Sequence, residues 1–100
     1  MAIVAKVSEI EPGRIAAFQV GEARISIANS DGTFYAFDDR CTHEECPLSE
    51  EGEVEGGELT CLCHFSVFDL ETGNVIDGPA TDPLPVYPVR VVGDSLDVGV

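Results

Sequence analysis

The chain has 100 residues, a length that suits one compact domain and leaves little room for a second. Its 19 acidic residues against five basic ones give a formal net charge of −14, which argues against nucleic acid as a partner because phosphate repels such a surface. No run of about 18 apolar residues and no basic segment followed by an apolar stretch occurs, so we expect a soluble, cytoplasmic protein with no membrane association.

Short apolar or alternating runs separated by turn residues predict an all-β protein. Hairpin connections are predicted at residues 30–33, 71–74 and 92–95, where glycine, aspartate or asparagine tolerates the positive φ of tight turns. No stretch keeps a helical period over three turns and six prolines interrupt the candidates, so any helix should be a single short turn. The predicted strands are residues 2–7, 15–20, 23–28, 33–37, 66–70, 86–92 and 95–100.

The segment 40–64 differs in composition from both flanks. It contains all four cysteines, both histidines and seven of the acidic residues. In a reducing cytosol, clustered cysteines are more often metal ligands or redox groups than structural disulfides. We therefore predict an antiparallel β-sandwich or barrel as the base, formed by about residues 1–38 and 70–100, with a metal-binding lobe inserted at about residues 39–69.

Two short motifs in this segment supply metal ligands. Residues 41–43 read Cys-Thr-His and residues 61–64 read Cys-Leu-Cys-His, with a gap of 17 residues between them. A Rieske centre needs two thiolates on one iron and two imidazoles on the other, and each of two loops provides one ligand of each kind. The two motifs meet this requirement and use both histidines of the chain. The sequence therefore predicts one [2Fe–2S] cluster on Cys41, His43, Cys61 and His64.

The same motifs make the chain resemble the Rieske [2Fe–2S] proteins, most closely the small ferredoxins of aromatic-ring-hydroxylating dioxygenase systems. Residues 68–73, Phe-Asp-Leu-Glu-Thr-Gly, and residues 78–80, Gly-Pro-Ala, extend the likeness over nearly the whole chain. The resemblance implies that the two cysteines of the predicted ligand set bind an inner iron. It implies that the two histidines bind an outer iron with their ring edges toward solvent, and that Pro79 lies in a loop that covers the cluster.

The resemblance implies an electron-transfer component rather than an enzyme. Such a protein passes single electrons from a flavin-dependent NAD(P)H reductase to the terminal oxygenase of an aromatic-ring dioxygenase, in the catabolism of aromatic hydrocarbons. The chain has no third histidine with which to build a substrate-activating iron site. A Rieske subunit of a nitrite reductase or of a monooxygenase is the alternative within the family. We expect a monomer.

Two other ligand sets compete with the Rieske set. Zinc accepts any tetrahedral mixture of sulfur and nitrogen, and such a site would make the protein a structural module without electron transfer. Its ligands would be Cys41, Cys46, Cys61 and His64. A plant-type cluster uses four cysteines, but the 14 residues that follow Cys46 depart from the C-x4-C-x2-C spacing of that class.

Residues near the predicted ligands are expected to affect the reduction potential and the conformation of the two ligand loops. In high-potential members of the family, the positions of Ser66 and Phe68 both carry hydroxyl donors. Only Ser66 does so here, and we expect a low or intermediate potential within the Rieske range. Phe65 stands where most relatives have glycine. Cys46 and Cys63 match a pair that forms a disulfide in respiratory members but is usually missing from dioxygenase ferredoxins, so we predict a disulfide, with two free thiols as the alternative.

Seven glutamates surround the ligand loops in the sequence. We expect several of them to form an acidic docking face beside the exposed histidines, because such a face would attract the basic surface of a redox partner. A solvated loop surface is the alternative. The glutamates are Glu44, Glu45, Glu50, Glu51, Glu53, Glu55 and Glu58.

Overall fold

The computed structural model describes residues 2–42, 46–63 and 65–99, and within these ranges the chain consists mainly of short strands. A single-turn helix, α1 (Leu48–Glu51), and a 3-10 turn (Val7–Glu9) interrupt them. No helix in the described ranges is long and apolar enough to cross a membrane. The strands are β1 (Ala2–Lys6), β2 (Ile15–Val20), β3 (Ala23–Ser30), β4 (Thr33–Asp38), β5 (Gly52–Glu55), β6 (Glu58–Cys61), β7 (Ser66–Asp69), β8 (Val75–Asp77), β9 (Val86–Tyr87), β10 (Val89–Val92) and β11 (Ser95–Val98).

The strands form three antiparallel sheets, in the orders β1-β11-β10, β2-β3-β4-β9 and β5-β6-β7-β8. The first two sheets combine strands from both halves of the chain and are called the base. The third sheet, together with α1, is called the lobe. The prediction of an all-β, antiparallel protein is confirmed. The lobe sheet includes β8 and so continues past residue 69, where the sequence placed its boundary.

Strands β3 and β4 separate two hydrophobic cores. Successive side chains of a strand point to opposite faces, so neighbouring residues of β3 and β4 enter different cores. Ile27 of β3 and Ala36 of β4 lie in the first core, which also contains Leu96 of β11. Ala28 and Phe37 lie in the second core. This arrangement explains why β3 is buried on both faces from residue 25 onward.

The second core attaches the lobe to the base. Leu59 of β6, Phe68 of β7 and Leu48 of α1 are fully buried in it together with Phe37 of the base. Burial of an aliphatic or aromatic side chain of this size contributes about 1.5–3 kcal/mol. The lobe is therefore a packed part of the molecule, and the ends of its strands are held in place.

The three predicted hairpin connections are present. Asp31 and Gly32 join β3 to β4 with φ values of 51° and 93°, as a two-residue turn between twisted strands requires. Residues 92–95 join β10 to β11, and residues 71–74 join β7 to β8. Two further hairpins, at residues 20–23 and 55–58, lie outside the predictions although each contains glycine at positive φ.

The predicted strand 86–92 is divided at Pro88, which has no N–H to give to a sheet. Before Pro88, β9 pairs with β4 in the second sheet, and after it β10 pairs with β11 in the first. The strands β5, β6 and β8 are not among the predicted strands. In β5 and β6, glutamate and glycine leave too few apolar residues for an alternating pattern, and β8 has only three residues. The other predicted strands are present, with ends shifted by up to two residues.

The register gives the molecule two distinct ends. At one end, here the turn end, the Ser30 hydroxyl accepts a hydrogen bond from the Gly57 N–H at 2.9 Å, and the Leu70 N–H donates to the Gly57 carbonyl at 3.0 Å. At the opposite end, here the loop end, Cys61 closes β6 opposite Gly52 and Ser66. Both predicted ligand loops leave the strands at the loop end.

Replacing Gly73 by alanine should destabilise the protein more than replacing Gly93. Both have positive φ, 81° and 64°, so alanine is strained at either position. At Gly73 the new Cβ would also lie 2.0 Å from the Leu84 carbonyl oxygen, whereas at Gly93 it would meet nothing within 4 Å. We expect losses of about 1–2 kcal/mol for Gly93→Ala and roughly 3 kcal/mol or more for Gly73→Ala in urea unfolding. Equal losses would contradict the close packing of the Gly73 turn.

Candidate metal centre

The first ligand loop leaves the base at the end of β4 and is closed by backbone contacts. Arg40 and Pro47 form an isolated antiparallel bridge, and the Cys41 N–H donates to the Cys46 carbonyl at 2.9 Å. The Cys41 side chain is buried, with only 2% of the residue exposed. The predicted ligand His43 and the glutamates at 44 and 45 lie outside the described residues.

The second ligand loop connects β6 to β7. Cys61, the last residue of β6, is buried, and its carbonyl accepts a hydrogen bond of 2.7 Å from the Phe65 N–H. The adjacent β7 begins at Ser66, which pairs with Cys61. The loop therefore turns back within four residues. The predicted ligand His64 lies outside the described residues.

Three cross-links hold these loops to each other and to their surroundings. The Sγ atoms of Cys46 and Cys63 are bonded as a disulfide, with the Cα atoms 6.8 Å apart. The Leu62 N–H donates to the carbonyl of Glu51 in α1 at 2.7 Å. The Thr42 hydroxyl donates to the Asp82 carbonyl at 2.8 Å, which ties the first loop to the segment between β8 and β9.

The disulfide divides the four cysteines into two pairs with different chemistry. Cys41 and Cys61 are buried in the same core and take no part in a disulfide. The Cys61 Sγ lies within 4.8 Å of both disulfide sulfurs, but those sulfurs are not thiolates and cannot ligate iron or zinc in this state. The zinc and four-cysteine sets both require Cys46, whereas the Rieske set does not. The donors available in the described residues therefore fit the two thiolates of a Rieske cluster.

A third segment covers the start of β7. The buried Ser66 hydroxyl accepts a hydrogen bond of 3.1 Å from the Ala80 N–H. A Cβ at Gly78 would lie 2.6 Å from the Phe65 carbonyl oxygen and 2.6 Å from the Ser66 Cα, so this backbone approach requires glycine. Pro79, between Gly78 and Ala80, is exposed.

Asp39, which the sequence analysis did not single out, anchors the first loop. Its carboxylate Oδ1 accepts hydrogen bonds from the Ser26 hydroxyl and the Ser49 N–H, both at 2.7 Å. Its Oδ2 accepts from the Arg24 Nε at 2.7 Å. These donors belong to β3 of the base and to α1 of the lobe. The Asp39 side chain therefore connects the base to the lobe, two residues before the predicted ligand Cys41.

The environment of this carboxylate favours its charged form. Burial alone raises the pKa of Asp39, but the hydrogen bonds from Ser26, Ser49 and Arg24 outweigh burial and hold the pKa below its usual value. The neighbouring Asp38 accepts a hydrogen bond from the Tyr87 hydroxyl, and this bond, together with burial and the charge of Asp38, raises the pKa of Tyr87 to about 12. Tyr87 is thus a neutral hydrogen-bond donor that fixes β9 against the end of β4.

The chain as a whole matches a family of known proteins. The model of the Rieske [2Fe–2S] domain matches residues 1–88. The chain belongs to the Rieske [2Fe–2S] family. Its cofactor is one [2Fe–2S] cluster, as predicted.

Relatives of this Rieske protein are ferredoxins of aromatic dioxygenases. The biphenyl dioxygenase ferredoxin subunit of Pseudomonas sp. (strain KKS102) is 39% identical over 87 residues, 87% of this chain and 80% of the relative. The ferredoxin component of the p-cumate 2,3-dioxygenase system of Pseudomonas putida is 43% identical over 70 residues, 70% of this chain and 59% of the relative.

A solved structure of the family extends this likeness to three dimensions. The complex of reduced oxygenase and oxidized ferredoxin in carbazole 1,9a-dioxygenase contains a chain with a TM-score of 0.88 and 33% identity, covering 98% of this chain and 100% of that one. The prediction of a ferredoxin-type electron carrier rather than an enzyme is confirmed.

The five described glutamates of the predicted docking face are exposed and extend from α1 to the turn end of the lobe. Glu50 and Glu51 lie on α1, which contacts the second ligand loop. Glu53 follows Gly52 near the same end of β5 and lines one groove with Glu55 and Glu58. Glu55 and Glu58 pair across the β5–β6 hairpin at the turn end. Of these five glutamates, Glu50, Glu51 and Glu53 are nearest the loops, and the predicted docking face stays a prediction.

The substitution Asp39→Asn should loosen the first loop in a pH-dependent way. The amide NH2 group of asparagine would face the hydrogen-bond donors that now point at a carboxylate oxygen, and it cannot accept from them. We therefore expect the free energy of unfolding to fall by about 2–4 kcal/mol at neutral pH. Because the folded-state pKa of Asp39 is lowered, the carboxylate contributes stability above its unfolded pKa of about 3.9, and this contribution is lost as the pH falls through the folded pKa. Melting temperatures of the variant and the parent should therefore converge below about pH 4.

The exposed Asp94→Asn serves as the control for Asp39→Asn, and it should change the melting temperature little at any pH. A difference between Asp39→Asn and the parent that stayed constant down to the most acidic pH tested would contradict the stabilising role of the Asp39 charge.

Proposed function

We propose that this protein carries single electrons from a flavin-dependent NAD(P)H reductase to the terminal oxygenase of an aromatic-ring dioxygenase, in the cytoplasm and as a monomer. The observation that supports the proposal is the pair of buried thiols, Cys41 and Cys61, on two linked loops at one end of a Rieske domain. Two relatives are ferredoxins of biphenyl and p-cumate dioxygenases, and the matched carbazole dioxygenase structure is a complex of ferredoxin with oxygenase.

The ligand set of the proposal combines both loops. The thiolates of Cys41 and Cys61 would hold the inner iron, and the imidazoles of His43 and His64 would hold the outer iron. When bound, the cluster supplies a one-electron redox couple. Two thiolates and two neutral imidazoles carry two fewer negative charges than four thiolates, so these ligands repel an added electron less, in keeping with the higher potentials of Rieske proteins.

The residues around the ligands would set the potential and keep the loops rigid. The Ser66 hydroxyl accepts from Ala80 and retains its own hydrogen, with which it could donate toward cluster sulfur. Phe68 is fully buried in the second core and has no hydroxyl to offer. With one donor instead of two, the potential should be low or intermediate within the Rieske range of roughly −150 to +300 mV. The Cys46–Cys63 disulfide would limit rearrangement of both loops during electron transfer.

Docking would use the loop end, where Glu50, Glu51 and Glu53 are exposed. Their carboxylates, added to a net charge of −14, would attract a basic surface on the reductase or the oxygenase and raise the rate of encounter at low salt. The glutamates at 44 and 45 belong to the same proposed docking face by sequence.

Serine substitutions should separate the ligand cysteines from the disulfide cysteines. Cys41→Ser or Cys61→Ser should lose iron and sulfide, whereas the double variant Cys46→Ser/Cys63→Ser should keep the Rieske spectrum. The double variant should lose about 3 kcal/mol of stability, since the bridge spans 17 residues. The measurements are iron and sulfide content, and optical and EPR spectra of the reduced protein, in which mixed histidine and thiolate ligation lowers the average g value.

Two results would contradict this assignment of ligands. One is a cluster retained at full occupancy in both Cys41→Ser and Cys61→Ser. The other is an unchanged Rieske spectrum after His64→Cys, because a third thiolate in place of an imidazole must alter the ligand field of a true ligand position.

Charge reversal near the loop end should slow docking. The double variant Glu50→Lys/Glu51→Lys should be reduced by its reductase about tenfold more slowly at roughly 0.01 M salt, and the difference should shrink toward roughly 1 M salt as charges are screened. The matched control is Glu55→Lys/Glu58→Lys, which makes the same change of charge at the turn end. Equal slowing in both variants would show that net charge, rather than a face near the loops, sets the rate.

A further inference from the structure

Phe65 combines two unfavourable features at the loop end. Its φ is +62°, and 66% of the residue is exposed to solvent. Among the described residues other than glycine, only Asp31 also has a positive φ, and that residue lies in a hairpin turn that requires it. Aspartate tolerates the left-handed region well, whereas an aromatic residue there is strained and an exposed aromatic ring loses the benefit of burial.

The fold accounts for the backbone of Phe65 but not for its side chain. The Phe65 N–H donates to the Cys61 carbonyl at 2.7 Å, and the backbone of Gly78 packs directly against residues 65 and 66, so the loop geometry imposes the positive φ. Glycine would adopt this conformation without strain. The ring belongs to neither of the two cores. A large apolar side chain is thus present where folding alone favours glycine.

The surroundings of Phe65 have the character of a protein interface. Leu62, three residues earlier in the same loop, is 42% exposed. Leu62 and Phe65, here the tip pair, lie on either side of residues 63 and 64 in the sequence, and the Leu62 N–H donates to the carbonyl of Glu51 in α1. An apolar centre with a charged rim is typical of protein–protein contacts, whose central aromatic residues dominate affinity.

We propose that the tip pair, and Phe65 above all, is an apolar anchor that docks into a recess of the terminal oxygenase lined with apolar side chains and rimmed by basic ones. This inference rests on the proposed function, and it adds a specific contact residue. The oxygenase is chosen over the reductase because a relative with 33% identity is found in complex with an oxygenase. The ring would leave water on docking, and this burial would offset the exposure in the free protein.

The test compares Phe65→Gly, which removes both ring and strain, with Phe65→Leu, which keeps an apolar side chain. Asp31→Gly at the turn end is the matched control, since Asp31 is the other non-glycine residue with positive φ in the part of the chain that the structure describes. Each protein, loaded with its cluster and reduced, is mixed in a stopped-flow instrument with the terminal oxygenases of the biphenyl, p-cumate and carbazole systems. The second-order rate of ferredoxin oxidation is measured at about 0.15 M salt.

We expect Phe65→Gly to react about tenfold more slowly with an oxygenase that accepts the parent, and Phe65→Leu to stay within about threefold of the parent. Asp31→Gly should react at the parental rate. The melting temperature of Phe65→Gly should equal or exceed that of the parent, because the strain is relieved. Its midpoint potential and EPR spectrum should be unchanged, so that slower transfer reports docking and not a damaged centre.

Three results would overturn the inference. They are a parental rate for Phe65→Gly, a shifted potential or EPR spectrum that accounts for the slower rate, and equal slowing in the control Asp31→Gly. If the parent protein itself reduces none of the three oxygenases, the proposed function fails and the docking inference fails with it. A reactive parent with unaffected Phe65 variants would instead leave the proposed function standing and remove only the anchor.

Discussion

The buried carboxylate of Asp39 holds together the parts of the molecule that must meet at the loop end. A charge in such a position requires full hydrogen bonding, and the three donors come from Arg24 and Ser26 of β3 and from the start of α1. The Asp39 carbonyl also accepts from the Leu48 N–H at 3.2 Å. The end of β4, strand β3 and α1 are thus held to one another, and the first loop begins from a fixed point.

The position of the second loop follows from the same anchor. Helix α1, which Asp39 holds in place, positions the second loop because the Glu51 carbonyl accepts a hydrogen bond from the Leu62 N–H. The disulfide between Cys46 and Cys63 links the two loops directly. Regular strands supply the rigid frame, whereas the two thiols and the exposed side chains of Leu62 and Phe65 lie in or beside irregular segments. This division suits a carrier, because a one-electron site works best when its ligands move little and its surface is accessible to partners.

Local chemistry explains which features could be read from the sequence. The hairpin at Asp31-Gly32 is dictated by residues that accept positive φ, and the cysteines were recognised because thiolate and imidazole spacing is specific to the cluster type. The strands β5 and β6 were missed because their burial comes from tertiary packing of Val54 and Leu59 against the base. Asp39 could not be recognised, since its donors are ten or more residues away in sequence. The ligand roles of all four residues, Cys41, His43, Cys61 and His64, stay predictions.

The opposite placement of the loop end and the turn end gives the protein a natural polarity. The Asp31-Gly32 turn is exposed, lies at the far end of β3 and β4 from Asp39, and can be lengthened without disturbing either core. A surface tether or a fused enzyme attached there would leave the loops pointing away from the attachment. The same polarity would orient the protein on an electrode, with its electron-transfer end toward solution and diffusing partners.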